Sequence, residues 1–574
     1  MPANTLYYGD NIDVLREYLK DETVDLVYLD PPFNSKRDYN LLFKTPAGHE
    51  SESQVTAFVD SWHWGEQAEA EFSQIIHQKN TQLAEMMRGF RSFLGENDVM
   101  AYLTMMANRL LELHRVMKPT ASIYLHCDPT ASHYLKLLMD AVFGAANFRN
   151  EIIWRRTNSH NSTTKQFGPI HDVILFYSKT DNFKFHPGTR PYTNKYIVDR
   201  FKYQDERGQF QTNYLTGPGI RRGESGLAWR GFDPTSAGRH WAIPKSLRQY
   251  LPDDGAGLSS HEQLEILYQR ELIIFPQKEG GQPMYKQYIG EGVSYQDIWA
   301  YQPNTNGVLW GTDECIDEDV KYLEDEKEKL GYPTQKSVGL LARIINSSSS
   351  PGDTVLDPFC GCGTAVAAAE QLKRKWIGID ITHLAVALIE KRLQDTFLDI
   401  SFDVVGTPKD LDAARDLAFR NKYQFQWWAC SLVKAQPYDG KKKGADGGVD
   451  GLIFFQDDAH GSKKIVVSVK GGDKVSVAMV RDLRAVVERE KAAIGLFVTL
   501  SAPTAPMLVE ATSAGWYVSP TIDANFPKIQ LLTIEGLLNG TEAPRYPDLA
   551  RGGLTFKKAQ QKSAKESTGR LIGE

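Results

Sequence analysis

The apolar positions change period along the chain, and those changes outline its elements. Val24 to Asp30, VDLVYLD, is a nearly continuous apolar run ending in Pro-Pro and an asparagine-containing turn, the pattern of a strand buried on both faces. Between about Gly48 and Pro119 the pattern becomes helical, with Leu103, Met106, Leu110, Leu113 and Met117 forming a core-facing stripe. A strand follows over Ala121 to Leu125. Strand alternating with helix predicts a parallel sheet covered by helices on both faces. From about Arg155 to Tyr332 the text is loop-rich and aromatic with little periodicity, which reads as an insertion. Regular α/β text resumes at Pro333: a helix over Ser337 to Ile345, the strand TVLD, a glycine turn, a helix from Thr364 and the strand WIGID ending at Asp380. One sheet is therefore expected from two distant segments. A further unit begins near Lys422, and the stretch from about Arg551, lysine-rich with few apolar anchors, reads as disorder. The expected divisions are 1–185, with a helical insertion at about 45–118, then 186–330, 331–415, 422–545 and a tail at 551–574.

Length and composition narrow the class. The 574 residues exceed one ordinary core, so several domains are expected. Hydrophobic and charged fractions of 41% and 24% are ordinary for globular chains, and no run of about 18 apolar residues exists to span a bilayer. With no secretory pattern in MPANTLYYGDN, the expected location is the cytoplasm. The five cysteines are too scattered for a disulfide framework or a zinc site. A net charge of -6 argues against a uniformly basic surface, yet residues 151–246 hold 15 Lys and Arg against 8 Asp and Glu, a local +7 among many aromatics.

The first chemical candidate is Asp357-Pro-Phe-Cys-Gly-Cys-Gly-Thr364, which follows a strand and opens a helix. Small residues there let backbone approach a ligand where amides point outward. Asp380 ends the next strand 19 residues after Gly361, close to the offset of about 20 at which a carboxylate accepts ribose hydroxyls. Spacing alone does not distinguish a dinucleotide from another adenosine ligand. The residues VLDPFCGCGTA resemble the cofactor motif of S-adenosylmethionine-dependent DNA amino-methyltransferases. That resemblance implies that Phe359, Gly361 and Gly363 cradle the methionine part and Asp380 holds ribose, with Asp357 and Thr364 flanking the turn. PTQKSVGLLARIINSSSSPGD resembles the family's segment leading into it, with Ser337 where proline is usual and Lys336 as a cofactor-side candidate.

The second candidate is Asp30-Pro31-Pro32-Phe33. An exocyclic base amine is a poor nucleophile because its lone pair is delocalised into the ring. A carboxylate and a backbone carbonyl that each accept one N–H can draw the nitrogen toward tetrahedral geometry. Asp30 and the Pro31 carbonyl suit these tasks, the prolines restrict the turn, and Phe33 offers a stacking face for an extracted base. The quartet resembles the DPP[YF] catalytic motif of the same enzymes, and LYYGDNIDVLREY resembles their opening, which places Asp10 near the cofactor adenine; a helix N-cap is the alternative. SIYLHCDPTASHYLK, FRNEIIWRR, HDVILFYSK and GYPTQKS match further segments, so the resemblance covers most of residues 1–400. His126 and Asp128 either border the active site or form a strand-end turn. With the DPPF quartet ahead of the glycine turn and the aromatic basic region between them, the order resembles the β-class arrangement of these enzymes.

The resemblance implies an α/β, Rossmann-like S-adenosylmethionine-dependent methyltransferase fold with an inserted target-recognition region. It also implies methyl transfer to adenine N6 in double-stranded DNA by base flipping. Cytosine N4 is the alternative, since related cytosine-N4 enzymes more often carry serine at the position of Asp30. Arg221, Arg222, Arg230 and Arg239 are the regional DNA-binding candidates. Beyond residue 422, GADGGVDGLIFF and KKIVVSVKGG read as two strands carrying Asp450 and Lys470, and the block resembles the Mrr-type α/β restriction-endonuclease fold. That resemblance implies Mg²⁺ at Asp450 and phosphodiester cleavage. Ser468 replaces the usual Glu or Gln, a poorer ligand that Glu488 on the next helix is a candidate to replace. DNA binding without cleavage, and a chain that is chiefly a nuclease with a cofactor-sensing module, are carried as alternatives. No membrane partner is expected, and homodimer assembly is left open.

Overall fold

The computed structural model describes residues 4–32, 38–44, 50–59, 63–157, 165, 167–276, 281–290, 292–299, 318–321, 323, 328–330, 332, 334–438, 448–458 and 461–547. Phe33, the 551–574 tail and most of the acidic run from 313 to 328 lie outside them. The chain forms two compact units, one of Met1–Gly188, Gln296–Tyr301 and Asp317–Glu574, the other of Thr189–Tyr295 and Gln302–Ile316.

The first unit is built on a nine-stranded sheet. Its strands in chain order are β1 (Thr5–Tyr8), β2 (Val24–Leu29), β3 (Met117–Cys127), β4 (Phe148–Arg155), β5 (His171–Ser178), β6 (Ile298–Trp299), β7 (Thr354–Asp357), β8 (Lys375–Asp380) and β9 (Asp403–Val405). Across the sheet they run β6-β4-β5-β3-β2-β7-β8-β1-β9, with β5 antiparallel to both neighbours and every other pairing parallel. The distant strands β2 and β7 are thus neighbours, with Leu356 opposite Val27, as expected for a single sheet assembled from two segments.

Alternation explains how β2 holds the centre. Val27 and Leu29 enter one core with the helix Asp98–Val116, joined by Val24 across a register shift between Val24 and Leu26, while Leu26 and Tyr28 enter the other with the helices Val338–Ser348, Thr364–Gln371 and His383–Thr396. These four helices are α2, α4, α5 and α6; α1 is Asn11–Glu17 and α3 is Pro129–Phe143. The chain is α/β with helices on both faces, the class expected from its periodicity.

Two element readings are corrected. The helical text does not begin near Gly48: Glu50–Val59 pairs antiparallel with Asp38–Lys44, consistent with the β-branched and aromatic residues of VTAFV, and helix starts at Glu66. Met117 is not the last member of the helical stripe, because the helix ends at Val116 and Met117 opens β3.

The second unit has a four-stranded sheet of Ile273–Ile274, Met284–Tyr288, Gly208–Tyr214 and Tyr203–Asp205. Its own core includes Trp229, Trp241, Leu264 and Tyr285. The second unit is interrupted at residues 296–301, which belong to the first unit, where β6 (Ile298–Trp299) extends the large sheet.

Near its C-terminal end the first unit carries a five-stranded sheet of β10 (Gln436–Pro437), β11 (Gly451–Asp458), β12 (Gly461–Lys470), β13 (Ile494–Thr499) and β14 (Ile529–Thr533), in that order. Helix α7 (Lys422–Leu432) packs into the core on one side and α8 (Val477–Arg489) into that on the other. Among the described residues no helix is long and apolar enough to cross a membrane.

Candidate catalytic and cofactor site

Three parallel strands end together at the carboxyl edge of the large sheet, where ligands bind in open α/β folds. Asp30 follows β2, Asp357 closes β7 and Asp380 closes β8. The register sets Asp357 opposite Gly378 on one side, while Tyr8 pairs with Asp380 on the other.

The turn after β7 is shaped by backbone that side chains would obstruct. Gly361 and Gly363 adopt φ of +51° and +73°, in the left-handed region. A Cβ on Gly363 would lie 2.9 Å from Ile389 Cγ1, and one on Gly361 would lie 3.3 Å from the Tyr332 ring. Asp380 ties this turn to β8: its Oδ2 accepts from Gly361 N at 2.9 Å, and its Oδ1 accepts from Thr382 N and Oγ1 at 2.9 and 3.0 Å. Burial raises its pKa to about 6. Oδ1 is filled by its two donors, while Oδ2, with one, has capacity for a further donor, as a ribose hydroxyl would require. Asp357 is buried and pushed well above the usual carboxylate range, chiefly by desolvation, while its Oδ1 accepts from Phe359 N. Phe359 is half-buried against the α2 side of the sheet. Thr364 opens α5, and its hydroxyl accepts from the buried Arg392 at 3.1 Å.

Asp10 caps α1, accepting from Ile12 N, and also accepts from Arg109 Nη2 at 2.8 Å. The buried Arg109 bridges further to Asn11 Oδ1, while Asn11 Nδ2 donates to the carbonyl of Pro358 inside the glycine turn. The N-cap alternative therefore describes this geometry, and it places Asp10 one residue from a side chain that bonds the turn. Arg109 is absent from the sequence-based candidates; an arginine within the apolar stripe of a buried helix is the signal that marks it.

At Asp30 the sheet half holding the glycine turn meets the strand end of β2. Lys336 Nζ bonds Asp30 Oδ2, and both side chains are largely buried. Lys336, a cofactor-side candidate by sequence, thus touches the carboxylate at the end of β2. Pro31 is buried beside it. One strand over, Tyr28 shares a 3.0 Å hydrogen bond with His126 Nδ1, and His126 Nε2 with Asp172 Oδ2 at 3.1 Å. Asp172 is held below its ordinary range by His126 and neighbouring cations against an opposing desolvation. Asp128 instead caps α3 through Thr130 and Ala131, a strand-end turn.

The four arginines lie in the second unit. Arg230 forms a two-point pair with Glu265 at 3.0 and 2.6 Å and sits over the Tyr268 ring, and Arg239 donates to the hydroxyl and carbonyl of Thr216. Arg221 and Arg222 are exposed. In the C-terminal sheet Lys470 Nζ lies 3.8 Å from Asp450 Oδ2, so the two strands bring this pair together. Glu488 is exposed and pairs with Arg484 on its own helix at 3.8 Å. A partner missing from the sequence reading is Gln426, whose Nε2 donates to Asp450 Oδ1 at 2.6 Å. A glutamine set among aromatics in FQWWA is its faint signal.

Residues 24–391 match the family model described as DNA methylase, and residues 420–534 match one described as restriction endonuclease. The Type II methyltransferase M.EcaI of Enterobacter cloacae is 31% identical over 297 residues, 51% of this chain and 57% of the relative. The Mod subunit of the Type III restriction-modification enzyme StyLTI of Salmonella typhimurium is 26% identical over 65% of this chain and 50% of its own length. The DNA adenine methyltransferase YhdJ of Escherichia coli is 50% identical over 74 residues, 13% of this chain and 24% of the relative. The chain thus spans about half the length of the first two. With the family model covering well over half of its sequence, and with the glycine turn and the Asp30 strand end inside the matched segment, the chain belongs to the DNA methylase family.

Proposed function

We propose that the chain transfers a methyl group from S-adenosylmethionine to an exocyclic amine of a base in double-stranded DNA, with adenine N6 as the acceptor. The observation carrying this reading is the juxtaposition at one sheet edge of a glycine cradle, a buried ribose-competent carboxylate at Asp380 and the Lys336-bound carboxylate of Asp30. The residues fit the cofactor: the cradle is closed to any Cβ, and Asp380 retains acceptor capacity. Gly361, Gly363, Phe359 and Asp380 would hold it, with Asp10 and Arg109 bracing the turn from the side of α1. S-adenosylmethionine supplies an electrophilic methyl on a positively charged sulfur.

The protein's own groups prepare the nucleophile. Lys336 occupies Asp30 Oδ2 and fixes the carboxylate, which leaves Oδ1 to accept one N–H of the base amine. The Pro31 carbonyl accepts the other. As the nitrogen's lone pair would bond the methyl carbon, the methyl–sulfur bond would break with its electron pair left on sulfur, and one amine proton would pass toward Asp30. The target must leave the duplex stack, at a cost of a few kcal/mol that DNA contacts offset. Arg221 and Arg222 are assigned to phosphates, because Arg230 and Arg239 are spent within their own unit. Adenine draws support from the adenine-specific relative and from aspartate at position 30.

For the nuclease-type sheet, the residues do not fit a bound Mg²⁺ as they stand. Asp450 Oδ1 is taken by Gln426 and Oδ2 by Val469 N at 2.6 Å, Ser468 is a weak ligand, and the described residues hold no group of three His, Cys, Asp or Glu placed for a metal. No cleavage step is derived from it. The test of the reading is incubation of the chain with DNA and S-adenosylmethionine followed by nucleoside mass spectrometry. N6-methyladenine supports it, N4-methylcytosine alone transfers it to the other amine, and no methylated nucleoside across diverse DNA overturns it.

A further inference from the structure

In the second unit one short loop carries an aliphatic side chain into solvent beside two arginines. Thr216–Pro218 pairs antiparallel with Arg239–Trp241, and the chain leaves this ribbon through Gly219-Ile220-Arg221-Arg222-Gly223. Every residue from 218 to 223 is exposed, and Ile220 is 67% exposed.

A lone exposed isoleucine is ordinary on a protein surface, so its setting decides what it means. Here the root of the loop is fixed. Gly219 N donates to the Gly238 carbonyl at 3.0 Å, the Gly219 carbonyl accepts from His240 Nδ1 at 2.8 Å, and Arg239 holds Thr216 across the ribbon. Farther along, the Arg221 carbonyl lies so close to Gly226 that a Cβ there would stand 2.1 Å from its oxygen, an approach only glycine permits. Both ends of the loop are thus tied to the unit while the Ile220 side chain is left in water.

Charge points to what the loop faces. Arg230 and Arg239 are engaged by Glu265 and Thr216, whereas Arg221 and Arg222 are exposed and have no ion-pair partner among the described residues. Two guanidinium groups on one short loop suit adjacent phosphates. An aliphatic side chain beside them has nothing to offer a phosphate, and apolar wedges of this kind find their surface between stacked bases.

We propose that Ile220 is a wedge that enters the base stack of double-stranded DNA while Arg221 and Arg222 grip the flanking phosphates. The second unit then opens the stack as well as holding the duplex. The proposal rests on the DNA reading above. Unstacking costs free energy that the arginine contacts offset, and a loop fixed at its root loses little freedom on binding.

The experiment relaxes a closed circular plasmid with topoisomerase I in the presence of saturating full chain, for wild type, Ile220→Ala and Ile220→Met. Affinity for a linear fragment of the same plasmid is measured alongside. A wedge in the stack unwinds the helix, so wild type should lower the linking number. Ile220→Ala should lose at least about two-thirds of that change with its dissociation constant within about threefold of wild type, and Ile220→Met, apolar and similar in volume, should keep it. Replacing both arginines by alanine should instead weaken binding at least about tenfold and flatten its salt dependence. Because an exposed side chain contributes little packing, the denaturation midpoint of Ile220→Ala should equal that of wild type; a lowered midpoint makes Ile220 a structural residue and overturns the wedge. An equal linking-number change in wild type and Ile220→Ala, or no change from a wild type that binds, also overturns it, and is the result expected of mere contact with a thymine methyl in the major groove. Either outcome leaves the DNA reading standing, whereas a wild type that does not bind the plasmid removes both.

Discussion

The pKa of Asp380 makes the cofactor affinity depend on pH in a way that can be worked out. Burial lifts this carboxyl to about 6, against an ordinary 3.8. Ribose hydroxyls donate to the ionised carboxylate, so ligand binds best to the deprotonated form, and below pH 6 each unit of acidity removes a growing share of it. Between pH 7 and pH 5 the ionised fraction falls from about nine-tenths to about one-tenth, so the dissociation constant of S-adenosylmethionine should rise about tenfold, or about 1.4 kcal/mol. Calorimetric titration at pH 5, 6 and 7 measures it. Asp380→Asn should bind more weakly at pH 7 yet lose much less than tenfold between pH 7 and 5. The same shift sets the sign for stability. The folded chain holds this proton more tightly than the unfolded one, so the ligand-free protein loses stability as pH rises from about 4 to 6, by up to about 3 kcal/mol, and is flat above. A wild-type affinity that is constant, or stronger at pH 5, would refute the assignment of Asp380 to the ribose.

Other outcomes follow from named contacts. Gly363→Ala places a Cβ 2.9 Å from Ile389 at φ +73°; denaturant unfolding should show a loss of about 1–3 kcal/mol, and cofactor binding should weaken with it. Lys336→Met removes the partner of Asp30 while leaving the glycine turn intact; kcat should fall about 10- to 100-fold with the cofactor dissociation constant moving less than about threefold, a split that steady-state kinetics and titration read together. Leu356→Ala empties a fully buried site between β2 and β8, and chemical denaturation should register about 2–5 kcal/mol.

The strands at the chemistry were legible because each is fully buried and so written as an apolar run: VDLVYL, TVLD and WIGID appear where expected, and their ends carry Asp30, Asp357 and Asp380. What the linear text does not carry is pairing across distance. Lys336 reads as a cofactor-side or solvated lysine until the neighbouring of β2 and β7 brings it to Asp30, 306 residues away. Arg109, Tyr332 and Gln426 are the same kind of case, side chains whose role depends on a partner from another element. The arginines show the converse. All four lie in the basic stretch, but only the fold reveals that Glu265 and Thr216 engage two of them.

Activation of a base amine by Asp30 is tested most directly by nucleoside mass spectrometry on DNA incubated with S-adenosylmethionine and either wild type or Asp30→Ala. Wild type should yield N6-methyladenine, and the variant should show a rate at least about 100-fold lower with cofactor binding retained. Undiminished methylation by Asp30→Ala would contradict that activation.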